Sequence, residues 1–238
     1  MRRRQVEAPE PVGTADRALG RLGPALVWLA SAQGAWPPVL SSAAQRVVVA
    51  EGGSRENGHQ QADALADGGC DLLVVGAGGD QVPGLVVLAA LLDLEPVQAV
   101  GTTAGPDWAL LTTGVRDGLR AARNHVGDPD GLLRAVGSAP LAHLTGVLAQ
   151  SAVRRTPVVL DGSAIAAAAA LLADRLAPGA AAWWLAGQVP PVPAARQGLA
   201  DLGLTGLLDL GLGGPAGADL ARTLLEQAIS LVDRDAGG

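Results

Sequence analysis

The chain has 238 residues, 49% hydrophobic and 17% charged, with a formal charge of −6. That balance describes a folded globular chain with apolar residues enough for one substantial core, and it excludes an extended disordered protein. The acidic excess, with no basic stripe after Arg2-Arg3-Arg4, argues against a nucleic-acid partner.

Residues 1–16 are polar and proline-containing and read as a flexible arm, with residues 17–238 as a single domain. Residues 20–33 carry Leu22, Leu26, Leu29 and Ala30 at helical spacing, and Trp36-Pro37-Pro38 ends that helix. Residues 46–50 read as a short buried strand, 57–67 as a helix with a polar face, and 71–75 as the next strand, closing on Gly76-Ala-Gly-Gly79. Helix is expected at 81–92, with Pro83 tolerated in its first turn, and a strand at 97–100 running into Gly101-Thr-Thr-Ala-Gly105. Residues 108–125 and 131–154 read as helices, 158–160 as strand, 164–176 as an alanine-rich helix and 181–186 as strand. A helix at 194–202, a strand at 206–210 and an amphipathic helix at 219–233 complete the chain. Unbroken Val and Leu strands alternating with helices predict an α/β fold of three layers, an open and mostly parallel sheet with helices on both faces.

Lysine, tyrosine and phenylalanine are absent and all 17 cations are arginine, so lysine Schiff bases, a P-loop lysine and tyrosine acid/base chemistry are excluded. The single Cys70 reads as a structural thiol and rules out an internal disulfide, which fits a reducing cytoplasm. No stretch approaches the roughly 20 apolar residues of a membrane span, and a cytoplasmic protein is expected. His59, His125 and His143 show no metal-ligand spacing; no metal and no cofactor are expected. Trp183-Trp184 read as core.

Open α/β sheets hold ligands at the carboxyl ends of their strands. Gly76, Gly78 and Gly79 stand where backbone amides and a helix N-terminus would cradle a phosphate; tight-turn packing is the favoured alternative. Gly101, Thr102, Thr103 and Gly105 form a second such stretch, with Pro106 and Asp107 as an alternative turn and cap. Asp161, closing Pro157-Val-Val-Leu-Asp-Gly162, either orients a ligand or caps the next helix with Ser163.

The order of these segments, with Gly20-Arg-Leu22, Val27-Trp-Leu-Ala30, Arg175-Leu-Ala-Pro178 and Leu207-Leu-Asp-Leu-Gly211, resembles the nicotinate-nucleotide–dimethylbenzimidazole phosphoribosyltransferase family from about Gly20 to the last helix. The resemblance implies transfer of phosphoribose from nicotinate mononucleotide to a benzimidazole, giving the lower ligand of cobamides, by a homodimer whose C-terminal glutamate is the general base. Carried across, the family's Gly-Glu-Met-Gly-Ile-Gly-Asn-Thr-Thr phosphate loop falls on 76–84, where the glutamate becomes Ala77 and Asn-Thr-Thr becomes Val82-Pro83-Gly84. The polar His-Arg-Ser-x-Glu-x-Gly-His run falls on 188–195, with Gln188 at its start, and the glutamate loop falls on Gly213-Gly-Pro-Ala-Gly217. A long acceptor-pocket segment is replaced by residues 51–56. No catalytic residue is therefore assigned. Weak or lost activity is expected, the chain acting alone, as partner of a complete paralogue, or on another nucleotide through Asp80, Asp107 or Asp161. Apolar faces at 20–33 and 141–153 are the expected dimer contacts.

Overall fold

The computed structural model describes residues 5–14, 19–40, 45–48, 53–102, 105–212 and 214–236. In chain order the elements are α1 (Leu22–Gln33), β1 (Gln45–Val48), α2 (Arg55–Asp67), β2 (Leu73–Gly76), α3 (Val82–Leu91), α4 (Pro96–Val100) and α5 (Trp108–Ala122). They continue as α6 (Pro129–Val136), α7 (Ala139–Val153), β3 (Val158–Leu160), α8 (Ala164–Leu176), β4 (Trp184–Ala186), α9 (Pro193–Asp201) and α10 (Ala216–Ala236). The strands form one parallel four-stranded sheet in the order β1-β2-β3-β4, with Val75 opposite Leu160 and Val159 opposite Leu185.

Strand periodicity sorts the apolar side chains into two layers. Leu73, Val75, Val158, Leu160 and Trp184 face the larger core, which α3, α5, α7, α8 and α9 complete. Leu72, Val74 and Val159 face a smaller cluster beneath α1 and α10. This is the three-layer arrangement the sequence predicts.

Alanine sets the spacing of the larger layer. Every residue from Ala164 to Ala173 is buried, and Ser163 starts the helix by accepting a hydrogen bond from the Ala166 amide at 3.1 Å. At Gly84 of α3 an added Cβ would lie 2.5 Å from the Ala164 carbonyl carbon, so α3 and α8 touch through backbone. Gly84→Ala is expected to destabilise the protein by about 1–3 kcal/mol; a urea midpoint equal to the parent's would show that the two helices can separate freely.

α2 meets α7 just as closely. A Cβ on Gly58 would lie 2.1 Å from the His143 carbonyl oxygen, and one on Gly146 would lie 2.0 Å from that of Arg55. Beside this crossing His143 Nε2 is 2.7 Å from Gln61 Oε1, and Asp63 accepts from Gln150 at 2.8 Å and from Arg154 at 2.9 Å. Those two donors, Gln150 first, hold the Asp63 carboxyl below the usual carboxylate range. Burial instead pulls both His59 and His143 below their ordinary 6.5, with the Arg55 charge adding to the effect at His59. The unfolded chain therefore binds a proton more readily at these rings than the folded chain does. Their contribution is intact above pH 6.5 and falls as the pH drops below it. His143→Gln, which cannot titrate, should flatten the acid limb of a stability–pH curve; an unaltered slope places that sensitivity elsewhere.

Several predicted elements differ. The segment predicted as a strand at 97–100 is the one-turn helix α4, because Pro96 takes its first position and Glu95 and Gln98 form a reciprocal capping box. The helix predicted at 131–154 is broken at left-handed Gly137 and restarted by the Ser138 cap. Residues 180–183 form a 3-10 turn before β4, and 206–210 supplies only a parallel bridge from Leu208 to Gln188. Of the predicted strand at 46–50, Val49 and Ala50 lie outside the described residues.

Residues 5–14 lie against the body of the protein: Val6 N donates to Pro178 O at 2.8 Å, Trp183 Nε1 to Glu7 O at 2.9 Å and Val12 N to Ser31 Oγ at 2.9 Å. The apolar face expected at 141–153 for dimer contacts is not free. Leu141, Leu144, Val147, Leu148 and Ala152 are fully buried within the monomer, among α2, α8 and the core between them. The α1 face is likewise covered through Leu26 and Leu29. A long helix looks over-apolar when the neighbours that cover it are remote in sequence.

Candidate functional site at the carboxyl edge of the sheet

The glycine turn after β2 is held from three sides. Gln81 Nε2 donates to Gly79 O at 3.1 Å and Ala77 O at 3.4 Å, while its Oε1 accepts from Ile165 N at 3.3 Å. Asp80 Oδ1 accepts from Val82 N at 2.9 Å and so occupies the start of α3. Gly78 and Gly79 are exposed, Gly79 at φ +77, and a Cβ added at either would meet nothing within 4 Å. Among the described residues their amides have no hydrogen-bond partner, leaving two donors for a ligand.

Asp161 sits at the end of β3, fully buried. Its Oδ2 accepts from Ala77 N at 2.9 Å, and its Oδ1 accepts from Ser163 N at 3.0 Å and Ser163 Oγ at 2.6 Å. The carboxyl thus takes the first amide of the glycine turn and ties β2 to the start of α8. Burial pushes its pKa up, against the opposing pull of the Ser163 and Ala77 hydrogen bonds. Ser163 is the residue that caps α8 directly; Asp161 orients Ser163.

The C-terminal turn closes over this carboxyl. A Cβ on Gly76 would meet Asp161 Oδ2 at 2.8 Å and Pro215 Cα at 2.8 Å. On the neighbouring strand end Gln188 is fully buried, its Nε2 donating to Val189 O at 3.3 Å and its Oε1 without a partner among the described residues. Gly217 packs onto it, a Cβ there falling 3.0 Å from Gln188 Cβ. Gln188 and Pro215 thus join Asp161 and the first glycine turn at one rim.

The second predicted stretch follows the helix α4. A Cβ on Gly101 would lie 2.6 Å from Pro193 Cγ, and the Gly101 carbonyl accepts from Trp108 Nε1 at 2.7 Å. The Pro190–Pro193 segment in turn borders Gly162, where a Cβ would be 3.4 Å from Pro190 Cα. The stretch therefore reaches the rim through 190–193, and not as a strand end. Thr102 is exposed, Gly105 opens a 3-10 turn and Asp107 makes no side-chain cap; Thr103 lies outside the described residues. Arg196, which the sequence did not single out, donates to Pro190 O at 3.1 Å and brings an arginine to this side of the rim. Among the described residues no cluster of three or more His, Cys, Asp or Glu side chains is placed to hold a metal ion, and no helix is long and apolar enough to cross a membrane.

A parallel α/β sheet whose carboxyl edge carries glycine turns, a buried aspartate and a C-terminal turn has the layout of open α/β folds that hold ligands at that edge. A family model described as phosphoribosyltransferase matches residues 53–236, and the chain belongs to that family. It is 47% identical over 180 residues to the nicotinate-nucleotide–dimethylbenzimidazole phosphoribosyltransferase of Mycobacterium tuberculosis (strain ATCC 25618 / H37Rv), an alignment covering 73% of this chain and 50% of that protein. It is 44% identical over 180 residues to the protein of the same name from Mycobacterium ulcerans (strain Agy99), with the same coverage. The chain spans about half the length of the curated relatives it matches. The crystal structure of CobT from Thermus thermophilus superposes with a TM-score of 0.75 at 24% identity, covering 92% of each chain. The fold and the family expected from the sequence are both borne out.

Proposed function

We propose that this chain is a phosphoribosyltransferase-family protein of cobamide lower-ligand metabolism that has kept the phosphate-side turns but is weakly active or inactive alone. The supporting observation is the contact of Pro215 with Gly76 over Asp161. The turn that the resemblance assigns to the general base offers proline, alanine and glycine there, and the carboxyl beneath it is sealed and fully engaged by Ala77 and Ser163. Loss of a general base lowers a rate by about 10²–10⁴. Purified protein given nicotinate mononucleotide and dimethylbenzimidazole should therefore form α-ribazole phosphate at less than about a hundredth of the rate of a complete relative. Turnover within tenfold of that relative would sink the reading.

A second reading, a nucleotide-binding protein or non-catalytic partner, is favoured by the exposed and unpartnered amides of Gly78 and Gly79. Nicotinate mononucleotide should bind weakly by calorimetry, and Gly78→Val should abolish the heat without altering the circular dichroism spectrum. Unchanged affinity in that variant refutes the placement. Self-association, or pairing with a complete paralogue in the cytoplasm, belongs to the same reading. It is tested by light scattering of the chain alone and mixed with the paralogue.

A further inference from the structure

A second concave site lies on the α1 side of the sheet, apart from the glycine turns, and its origin is visible in the strand pairing. Beyond β4 the chain supplies only a short stretch of neighbour: Leu207 N donates to Ala186 O at 2.8 Å, and Val189 N to Leu208 O at 2.7 Å. Among the described residues nothing pairs with the outer edge of the first half of β4. Residues 202–207 together with α1 and β4 line a cavity of about 610 Å³. This volume falls within the roughly 300–1,000 Å³ of small-molecule sites.

Its walls are Trp28, Leu185, Leu204 and Leu207, of which the first three are only half-buried. The Trp28 ring is fixed in place, its Nε1 donating to Ala182 O at 3.2 Å. Arg21 and Thr205, both exposed, supply the polar side chains of its lining. Among the described residues no Asp or Glu lines the cavity. Arg21 makes no ion pair with a described residue in a chain of net charge −6, whereas Arg55, Arg123, Arg134, Arg154, Arg155 and Arg222 each have a carboxylate partner. An anchored tryptophan, aliphatic walls and a guanidinium without a carboxylate partner among the described residues fit a small molecule with an apolar body and a single acid group.

We infer that this cavity binds a small amphipathic monoanion, an apolar body seated against Trp28 and Leu185 with its acid group on Arg21. It is independent of the reading of the glycine turns, which contribute nothing to it.

The test uses 8-anilinonaphthalene-1-sulfonate as the anionic probe and N-phenyl-1-naphthylamine as its neutral counterpart, with the whole chain. The anionic probe should saturate at one site per chain, with energy transfer from tryptophan. Arg21→Gln should weaken the sulfonate about fivefold and the neutral probe hardly at all, an effect in the range of one partly solvated charge pair. Thr205→Trp, placed at the opening on an exposed bend, should weaken both about tenfold or more, while thermal unfolding and circular dichroism show that the fold is retained. Non-saturating binding, or a sulfonate affinity that ignores both substitutions, overturns the inference. Should Thr205→Trp fail to fold, the difference between the two probes in Arg21→Gln decides alone.

Discussion

Gly146→Val is expected to detach α2 from the body of the protein, with a loss of about 3–5 kcal/mol. The branched side chain would begin 2.0 Å from the Arg55 carbonyl oxygen, and backbone has no rotamer with which to withdraw. Relief requires the two helices to move apart. α2 has little to hold it after such a movement, since Gly58 and Ala62 are its buried residues and its other links to α7 are hydrogen bonds and partly exposed ion pairs. The urea midpoint should fall, and protease should cut within residues 55–67 well before global unfolding. The opposite outcome, a variant as protease-resistant as the parent, would mean that the crossing is looser than the geometry indicates. Gly58→Val, aimed at the His143 carbonyl from the other side, should reproduce the effect. The double variant should cost less than the sum, because one separation relieves both clashes.

Asp161→Ala is the second large effect expected. It leaves the Ala77 amide, the Ser163 amide and the Ser163 hydroxyl without their acceptor inside the protein, at a cost of about 2–4 kcal/mol. For a chain of this size that lowers Tm by roughly 5–15 °C. Asp161→Asn returns one acceptor oxygen but turns an NH2 group toward donors, so it should fall between. Its pH dependence is diagnostic. Burial raises the Asp161 pKa, so the folded chain holds the proton more tightly than the unfolded chain. The advantage this gives is complete below the ordinary carboxylate value of 3.8 and is lost as the pH rises through the raised value. Asparagine has no such loss, so the deficit of Asp161→Asn relative to the parent should narrow as the pH is raised from about 4. A constant deficit would mean that the three hydrogen bonds outweigh burial and keep the carboxyl in its ordinary range.

What was legible in the sequence follows the range of the forces involved. α8 was read with its boundaries intact because its signals are local: a Ser163 cap and an uninterrupted alanine run. β2 and β3 were read because strands buried on both faces are apolar throughout. The 97–100 segment failed because Val-Gln-Ala-Val has strand composition, while the decisive signals, Pro96 and the Glu95–Gln98 box, lie at its margin. The strand at 206–210 was expected from its apolar run, but only Leu207 and Leu208 bond to the chain beyond β4, and strand pairing is not a property of the segment itself. At the rim, glycines and Asp161 announced themselves through their positions after strands. Gln188 and Pro215 were marked only by the resemblance, and Gln81 by nothing. Gln81 clamps a residue 84 positions away, and Pro215 covers Gly76 from the far end of the chain. Such contacts exist only once the sheet has formed.

On the proposed reading of a weakly active chain, the meeting of Gly76 and Pro215 also sets how a general base would have to be installed on this scaffold. Exchanging a single residue of the closing turn for glutamate would leave Pro215 Cα 2.8 Å from the position a Gly76 side chain would take, with no volume between turn and strand for a substrate ring. α3 and α8 offer no alternative, since their facing surfaces are backbone and alanine. A reconstructed enzyme therefore has to be lengthened at 213–217 before it is recharged, so that the turn arches away from β2 and opens a chamber above Asp161. On that reading insertion precedes substitution in any redesign, because side-chain libraries at fixed length leave the closing turn lying on β2.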